Sequence, residues 1–561
     1  MSHTHWNLLP SATQSFDIEG IHPLIVQILA NRGISDPSQI ELFLSNDRRL
    51  EADPLQLPDM PLAIFRTNQA LYSGEKIAIY GDFDADGITA TAILTQAITA
   101  LGGRAIPYIP KRSAEGYGLR TTALDKLQQQ GVSLVITVDT GVTAIKEVAH
   151  ARQIGLDIIV TDHHLPLSEL PPAIAVVDPK RSDSVYPFPD LAGVGVAFKF
   201  LQALIPDREG PRQAIVSQSL DLVALGTVAD MVPLYGENRY WVKSGLELLN
   251  RTQRIGIKEL MRCAKLQPGK LDAQSISWTL GPRINAAGRI DNATTSYRLL
   301  VTENMQEANY LATELEKKNQ ERMKQTSELQ NKACQALLAA GVEQPLLLTG
   351  GEDYSSGVMG LVAGRLADKF YRPVILLKIG HELTRGSGRS IDEFNLMVAL
   401  EACNDLLSNY GGHTRAAGFS IPTCNLEQFK QRISTIASET LLGLDLRPHI
   451  NIDAEVTLPM LAGDAYQKLQ QLAPFGIGNP VPTFLSRRVE IIEQRLMGSQ
   501  NEHVKLKVRQ DGVIWDIVCF DFGQHCDELK NRVDIVYNLE LNRWNGTDTL
   551  RLNLLDFEPS H

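Results

Sequence analysis

The sequence predicts an α/β protein of several bodies: a parallel-sheet domain, a long helix, a second α/β domain and a carboxyl-terminal β-barrel. Three observations predict this. Short apolar runs, KIAIY at 76–80, SLVI at 133–136 and LDIIV at 156–160, alternate with helix-like stretches at 89–101, 121–130 and 142–154. That alternation marks βαβ units whose strands are buried on both faces. Residues 303–340 contain neither glycine nor proline and are rich in helix formers. From residue 449 onward, β-rich segments follow one another closely with turn residues between them, the pattern of a small barrel.

The elements follow in order. IHPLIVQILANRG and DPSQIELFL read as two short amphipathic helices packing on the core, so 1–54 is taken as a helical segment. The parallel-sheet body occupies 55–302. The stretch 303–341 reads as a connector helix of about 57 Å at the usual rise per residue. After it, PLLLTG at 345–350 and RPVILLKIG at 372–380 restart an α/β pattern around a helix near 357–370, which gives a domain at 342–447. The barrel takes 448–561.

At 561 residues the chain suits roughly three or four domains. A hydrophobic content of 43% and a charged content of 21% are those of an ordinary globular protein. No apolar stretch approaches the roughly 18 residues that span a bilayer, and the amino terminus lacks the basic start and apolar core of a signal peptide. We therefore expect a cytoplasmic protein without a membrane role. The six cysteines, at 263, 334, 403, 424, 519 and 526, form no CxxC pair, which speaks against a disulfide framework or a structural zinc site. A net charge of −11 excludes a generally basic nucleic-acid coat but not a basic groove on an acidic body.

Four segments carry the chemistry: GDFDADG at 81–87, TVDTG at 137–141, TDHH at 161–164 and GTVAD at 226–230. Each places carboxylates or imidazoles directly after an apolar run, so we expect a metal site assembled from strand ends. Ligands bind beyond the carboxyl ends of parallel strands, where Asp84 and His163 can converge. Aspartate oxygen and histidine nitrogen suit hard or borderline divalent cations, which points to metal-assisted hydrolysis. GDFDADG follows a strand and lacks the glutamate that a calcium loop needs at its twelfth position. His163 and His164 are adjacent and point apart, so one suits the metal and the other a substrate phosphate.

In combination, GDFDADG, TVDTG, TDHH and DLVALGTVADMVPL resemble the DHH phosphoesterase superfamily, and in detail its RecJ branch of single-strand-specific 5′-to-3′ exonucleases. RSAEGYGL at 112–119, LAGVGVAFK at 191–199, LGPRINAAGRI at 280–290, SSGVMGLVAGRLADKFYRPVILL at 355–377, GSGRS at 386–390, GGHTRAAGF at 411–419 and LAPFGIGNPVPTF at 472–484 match that branch in order. Tyr354 departs from the family's usual tryptophan but keeps an aromatic body.

The resemblance implies a DHH parallel-sheet domain joined by the long helix to a DHH-associated α/β domain, plus an OB-fold barrel. It implies that Asp84, Asp86, Asp139, His163 and Asp230 ligate two divalent cations, Mn2+ or Mg2+, with Asp82 binding directly or from outside. Asp139 is the candidate bridging carboxylate, and His164 the candidate phosphate contact. Arg283 and Arg289 are candidates to hold the scissile phosphate, since arginine pairs with phosphate oxygens in a bidentate way. The glycine-rich loops with Arg389, Ser390, Gly412, His413 and Arg415 resemble the second domain that grips DNA. Arg112 and Tyr117 would complete a pocket for the 5′ end. In the barrel, Arg487, Arg488, Arg495, Lys505, Lys507 and Arg509 supply charge, and Trp515, Tyr537 and Trp544 are possible stacking faces.

The expected activity is metal-dependent 5′-to-3′ hydrolysis of single-stranded DNA in recombination and repair. The expected partners are single-stranded DNA, a single-strand-binding protein and a helicase, for a chain acting as a monomer. Two other classes compete. One is a phosphodiesterase of short oligonucleotides, cyclic dinucleotides or polyphosphate, which would need neither this length nor a barrel. The other is a catalytically inactive DNA-binding scaffold, which would have no need of all five ligands.

Overall fold

A computed structural model describes every residue except 1–3, 12–19, 112–114, 117, 207–209, 211, 291, 530, 545–546 and 561. The chain divides into two compact units, one made of Met1–Glu316 with His449–His561 and the other of Lys317–Pro448.

The first unit holds a five-stranded sheet in the order Arg104–Tyr108, Lys76–Gly81, Val132–Val138, Asp157–Thr161, Ala175–Val177. Every pairing is parallel. The strands read as uninterrupted apolar runs because helices cover both faces, and Ile77, Ile79, Leu134, Ile136 and Ile159 are fully buried. Lys76–Gly81 has a neighbour that follows it in sequence on either side. Strand order therefore reverses there, and the ends of Lys76–Gly81 and Val132–Val138 form a topological switch point. The helices Ala85–Ala100, Thr121–Gln129 and Ile145–Gln153 occupy the stretches expected of them.

One expectation fails. GTVAD is not a strand end, because Asp230 caps the carboxyl terminus of the helix Leu220–Ala229. That helix is buried along almost its whole length. It therefore shows none of the amphipathic alternation that separates a helix from a buried strand.

The barrel closes as five strands. Thr483–Met497 pairs with His503–Gln510, which pairs with Val513–Cys519, then Thr547–Pro559, then Arg532–Trp544, which returns to Thr483–Met497. A short sixth strand, Ala454–Glu455, adds in parallel to Thr483–Met497 outside the closed ring. The amino-terminal helices Pro23–Asn31 and Pro37–Leu44 belong to this body, since Ile25, Ile28, Leu29, Ile40 and Phe43 share its hydrophobic core. Proline in the first turn and Asp36 accepting from Ser38 and Gln39 amides start the second of them. The strand His5–Leu8 pairs in parallel with His449–Ile452.

The long helix spans Met305–Ala340, and the boundary between the two units falls within it. Ala308, Leu311, Ala312 and Leu315 enter the core of the first unit, whereas Leu329, Ala333 and Leu337 enter that of the second. The second unit carries a mixed sheet in the order Asn409–His413, Ala416–Pro422, Leu383–Arg389, Val374–Lys378, Leu347–Gly351. The glycine-rich stretches expected as loops are three adjacent antiparallel strands of this sheet. Gly386 is needed there for packing, because a Cβ would lie 2.1 Å from the Phe419 ring.

Candidate metal centre

Four neighbouring strands each run directly into an aspartate: Gly81 into Asp82, Val138 into Asp139, Thr161 into Asp162 and Val177 into Asp178. The parallel ladder continues one residue past the strands, with the Asp139 amide donating to Thr161 O and the Asp162 amide to Val177 O. The carboxylates therefore emerge side by side at one sheet edge. Asp139 holds φ at 60°, a left-handed conformation uncommon outside glycine, which turns the chain away as soon as the strand ends.

The following helices complete the site. Asp84 caps Ala85–Ala100 by accepting from the amides of Asp86 and Gly87 at 3.0 and 3.2 Å. Asp86 is fixed by the amides of Gly193 and Val194 at 2.6 and 2.8 Å, where the helix Gly193–Leu204 begins. Gly193 is obligatory at this approach, since a Cβ would sit 2.4 Å from Asp139 Cβ. Asn285, in the helix Gly281–Ile290, accepts from the Ala85 amide at 2.6 Å and ties that helix to the metal loop.

His163 lies at the centre. Its Nε2 is 3.0 Å from Asp139 Oδ1, 3.7 Å from Asp230 Oδ2 and 3.8 Å from Asp86 Oδ2. Its Nδ1 lies 2.9 Å from Leu191 O, a carbonyl that can only accept, so Nδ1 carries the proton. Nε2 then presents a lone pair to three carboxylates and makes no hydrogen bond, although buried. A lone pair facing carboxylate oxygens at 3.0 to 3.8 Å is repulsive unless a proton or a cation sits between them. The donor set thus fits a divalent metal, with three oxygens or more and one nitrogen.

Two ligand groups stand out. Asp86, His163 and Asp230 have donor atoms within 4.8 Å of one another, as do Asp82, Asp84 and Asp139. Asp139 also groups with His163 and His164, so it touches both sets. The structure thus brings together all seven catalytic candidates of the sequence reading.

The electrostatics follow from crowding. Burial, then the charge of Asp84, pushes Asp86 up to about 7. Burial and the neighbouring aspartates hold Asp139 and Asp230 well above the usual carboxylate range. Burial drives His163 down to about 3, helped by the charge of His164. Burial also opposes charge on His164, but the hydrogen bond and charge of Asp162 prevail and lift it to about 9. Asp162 itself is held near 2 against burial by His164 and His163 and by the amide of Val142.

These shifts predict a pH-dependent response to metal. Asp86, Asp139 and Asp230 hold protons more tightly folded than unfolded. The stability they contribute is complete below the ordinary carboxylate range and is lost as pH rises, for Asp86 through about 7 and for Asp139 and Asp230 through their own raised values. A cation replaces those protons and reverses the loss. Differential scanning fluorimetry in chelator should therefore give a melting temperature that falls from pH 5.5 to 8. Mn2+ at about 100 times its dissociation constant should add roughly 2.7 kcal/mol, more visibly at pH 8.

Three residues escaped the sequence reading. Asp162 accepts from the amides of Val142, His163 and His164 and from His164 Nδ1 at 2.7 Å, and so aims both imidazoles. Asp178 is the true fourth strand end, which AVVDP at 175–179 could have signalled. Burial lifts it to about 7. Lys180 follows, close enough for its charge to act on His163, Asp178 and Asp230.

The substrate candidates fare unevenly. Arg112 and Tyr117 lie outside the described residues, as does the side chain of Trp544. Arg283 donates to Glu316 at 2.6 Å and to Thr279 O, and Arg289 occupies the last turn of its helix. In the second unit, strand register sets Arg389 opposite Ala416, and Gly412 opposite Ala417. The Ser390 amide donates to Arg415 O, which keeps these motifs at one end of the sheet, with His413 ending its strand. The Ser390 hydroxyl is buried and donates to Phe394 O, so it is engaged in the fold. Arg389 is half-buried and donates to Gly388 O. Among the described residues no carboxylate pairs with it.

The barrel departs from expectation. Trp515 and Tyr537 are core residues, bonded to Leu458 O and Ser486, and offer no stacking face. Lys505, Lys507 and Arg509 pair with Asp516, Glu493 and Glu490 at 2.8 to 2.9 Å, and Arg487 with Glu455 and Asp534. Cross-strand pairing has neutralised most of this basic surface, and among the described residues Arg488 and Arg495 have no acidic side chain in salt-bridge contact.

Comparison with known proteins agrees with this geometry. The model of the DHH family, N-terminal domain, matches residues 76–227, that of the DHHA1 domain 336–439 and that of the RecJ OB domain 452–556. The single-stranded-DNA-specific exonuclease RecJ of Bacillus subtilis is 37% identical over 540 residues, covering 96% of this chain and 68% of the relative. The protein of the same name from Salmonella typhimurium is 34% identical, covering 96% of both chains. The crystal structure of RecJ in complex with Mn2+ from Thermus thermophilus superposes with a TM-score of 0.85 at 29% identity, covering 100% of this chain and 80% of that one. No helix among the described residues is long and apolar enough to cross a membrane. With its metal-fitting sheet edge, its DHHA1 domain and its closed barrel, the chain belongs to the RecJ family of single-stranded-DNA-specific exonucleases.

Proposed function

We propose that this protein is a metal-dependent exonuclease that hydrolyses single-stranded DNA from its 5′ end, serving recombination and repair in the cytoplasm as a monomer. One observation carries the chemistry: a buried, neutral His163 whose Nε2 faces Asp86, Asp139 and Asp230 without a hydrogen bond. Two divalent cations, Mn2+ or Mg2+, would supply an activated water and charge stabilisation for in-line displacement at phosphorus. Asp86, His163 and Asp230 would hold one, Asp84 and Asp139 the other with help from Asp82, and Asp139 would reach both. His164, kept protonated by Asp162, would donate to a phosphate oxygen.

Further basic groups favour a polymer. Arg389, a half-buried cation with no acidic partner among the described residues, suits a phosphate oxygen better than solvent. Gly412 and His413, on the same sheet, would extend that contact along the backbone, and Arg283 and Arg289 would hold the scissile phosphate. Arg112 and Tyr117 would recognise the terminal nucleotide. Arg488 and Arg495 on the barrel would attract the trailing strand, which a single-strand-binding protein and a helicase would supply. The domain limits follow the sequence reading, with 55–302 catalytic, 342–447 gripping and 448–561 guiding the strand.

Digestion of long single strands labelled at either end, with and without a 5′ phosphate, tests this directly. Mononucleotides should appear first from the 5′ label in Mn2+, and duplex of the same sequence should resist. Rapid cleavage of dinucleotides with long strands left intact would overturn the substrate, and inactivity on all of them would favour a binding scaffold.

A further inference from the structure

Two loops pack against the sheet-edge site, one holding its ligands and the other supplying Asp230. The first, 190–194, offers Leu191 O to His163 and the Gly193 and Val194 amides to Asp86. The second, 230–235, begins at Asp230 and is folded back by positive φ at Met231 and Gly236. Asn238 stands behind both, fully buried in the first turns of the helix Gly236–Leu249. Its amide nitrogen donates to Asp190 O at 2.7 Å and to Pro233 O at 3.0 Å. Both partners are carbonyls, so the orientation of the amide is settled by chemistry. Its Oδ1, in contrast, is buried without a partner, which costs stability. The two donors are the groups of this side chain that the fold engages.

We propose that Asn238 is a positioning residue of the metal centre. By clasping both loops it sets the separation between Asp230 and the Asp86–His163 pair, and with it the affinity for the cation these three hold. The inference rests on the reading of the site as a divalent-metal centre. Its neighbours act around it: the Tyr235 hydroxyl donates to the Asp190 carboxylate at 2.6 Å, and the Leu234 amide donates to Ile477 O at 2.7 Å. The first links the two loops side chain to side chain at their exposed rim and the second ties the later loop to Ile477, whereas Asn238 clasps the backbones of both loops from the buried side.

Mn2+ titration of the full chain, followed by electron paramagnetic resonance, tests the proposal on wild type, Asn238→Ala and Asn238→Ser. Asn250→Ala is the matched control, since Asn250 clasps Leu246 O and Leu271 O in the same way at the far end of the same helix. Outer-shell partners of metal ligands typically matter by about 10- to 100-fold in affinity, and we expect one of two Mn2+ sites to weaken by that factor in Asn238→Ala. Asn238→Ser, with one donor, should fall between, and it decides the matter if the alanine variant does not fold. The activity of Asn238→Ala should drop at limiting Mn2+ and return at saturating Mn2+, with KM for an oligodeoxynucleotide unchanged. Asn250→Ala should lower the melting temperature alone. Wild-type Mn2+ affinity in both Asn238 variants would overturn the proposal. Failure of the wild type to bind Mn2+ would instead overturn the metal reading beneath it.

Discussion

Asp139→Ala is expected to abolish hydrolysis while leaving the fold intact and, in chelator, more stable. Asp139 groups with Asp82 and Asp84 on one side and with His163 and His164 on the other, and lies 3.0 Å from His163 Nε2, so its removal should strip a donor from each prospective cation. Loss of one charge-stabilising donor elsewhere costs about 10²- to 10³-fold, and loss of a shared metal ligand should exceed that range. Stability moves the other way for an electrostatic reason. Asp139 is buried against Asp86, Asp84 and Asp230, and burial together with their charges holds its proton on. Deleting it relieves like-charge repulsion, a gain that must exceed the small extra strain of alanine at a φ of 60°, a region aspartate tolerates better. The metal-free variant should therefore melt above the metal-free wild type at pH 8, and Mn2+ should raise its melting temperature far less. Asp139→Asn, which keeps the volume, should reproduce the loss of activity. Equal nuclease rates in wild type and variant would sink the two-metal reading whatever the melting curves show.

The site was legible in the sequence where burial was symmetric and local. Strands covered on both faces leave unbroken apolar runs, and the residue after each run lands on the sheet edge, so Asp82, Asp139 and His163 were placed by pattern alone. The same rule misled at Asp230, because a helix buried all round writes the same apolar run as a buried strand. Asp178 was missed for the opposite reason, since its strand is only three residues long. In the second unit, glycine hid the strands. Gly386 and Gly388 lower the β signal, yet they are required because Phe419 and Leu396 pack over them. On the barrel, no local pattern reveals that Lys507 meets Glu493 or that Lys505 meets Asp516, because strand register is decided by long-range pairing. The family resemblance supplied what spacing could not, namely that these dispersed motifs belong to one enzyme.

Arg389→Met should separate substrate binding from folding. The guanidinium lies over the first turn of the helix Met359–Phe370, where a Cβ on Gly360 would come within 2.9 Å of Nη2. Burial lowers its affinity for its proton, and among the described residues no carboxylate offsets the loss. Evolution towards stability alone would replace such a cation with an apolar side chain. The melting temperature of Arg389→Met should accordingly match or exceed that of wild type. Its kcat/KM on single-stranded DNA should nonetheless fall about 10²-fold, the equivalent of one charged hydrogen-bonding contact worth roughly 2 to 3 kcal/mol. Arg389→Lys keeps the charge but loses the planar fork, so it should restore only part of the rate. Stabilisation by Mn2+ should be the same as in wild type, which distinguishes this variant from Asp139→Ala. Comparing 5′-phosphorylated with 5′-hydroxyl strands then assigns the contact. A loss confined to phosphorylated ends places Arg389 on the terminal phosphate, and an equal loss on both places it on the backbone. A variant that melts lower yet cleaves at the wild-type rate would show Arg389 to be a structural residue and remove it from the strand path.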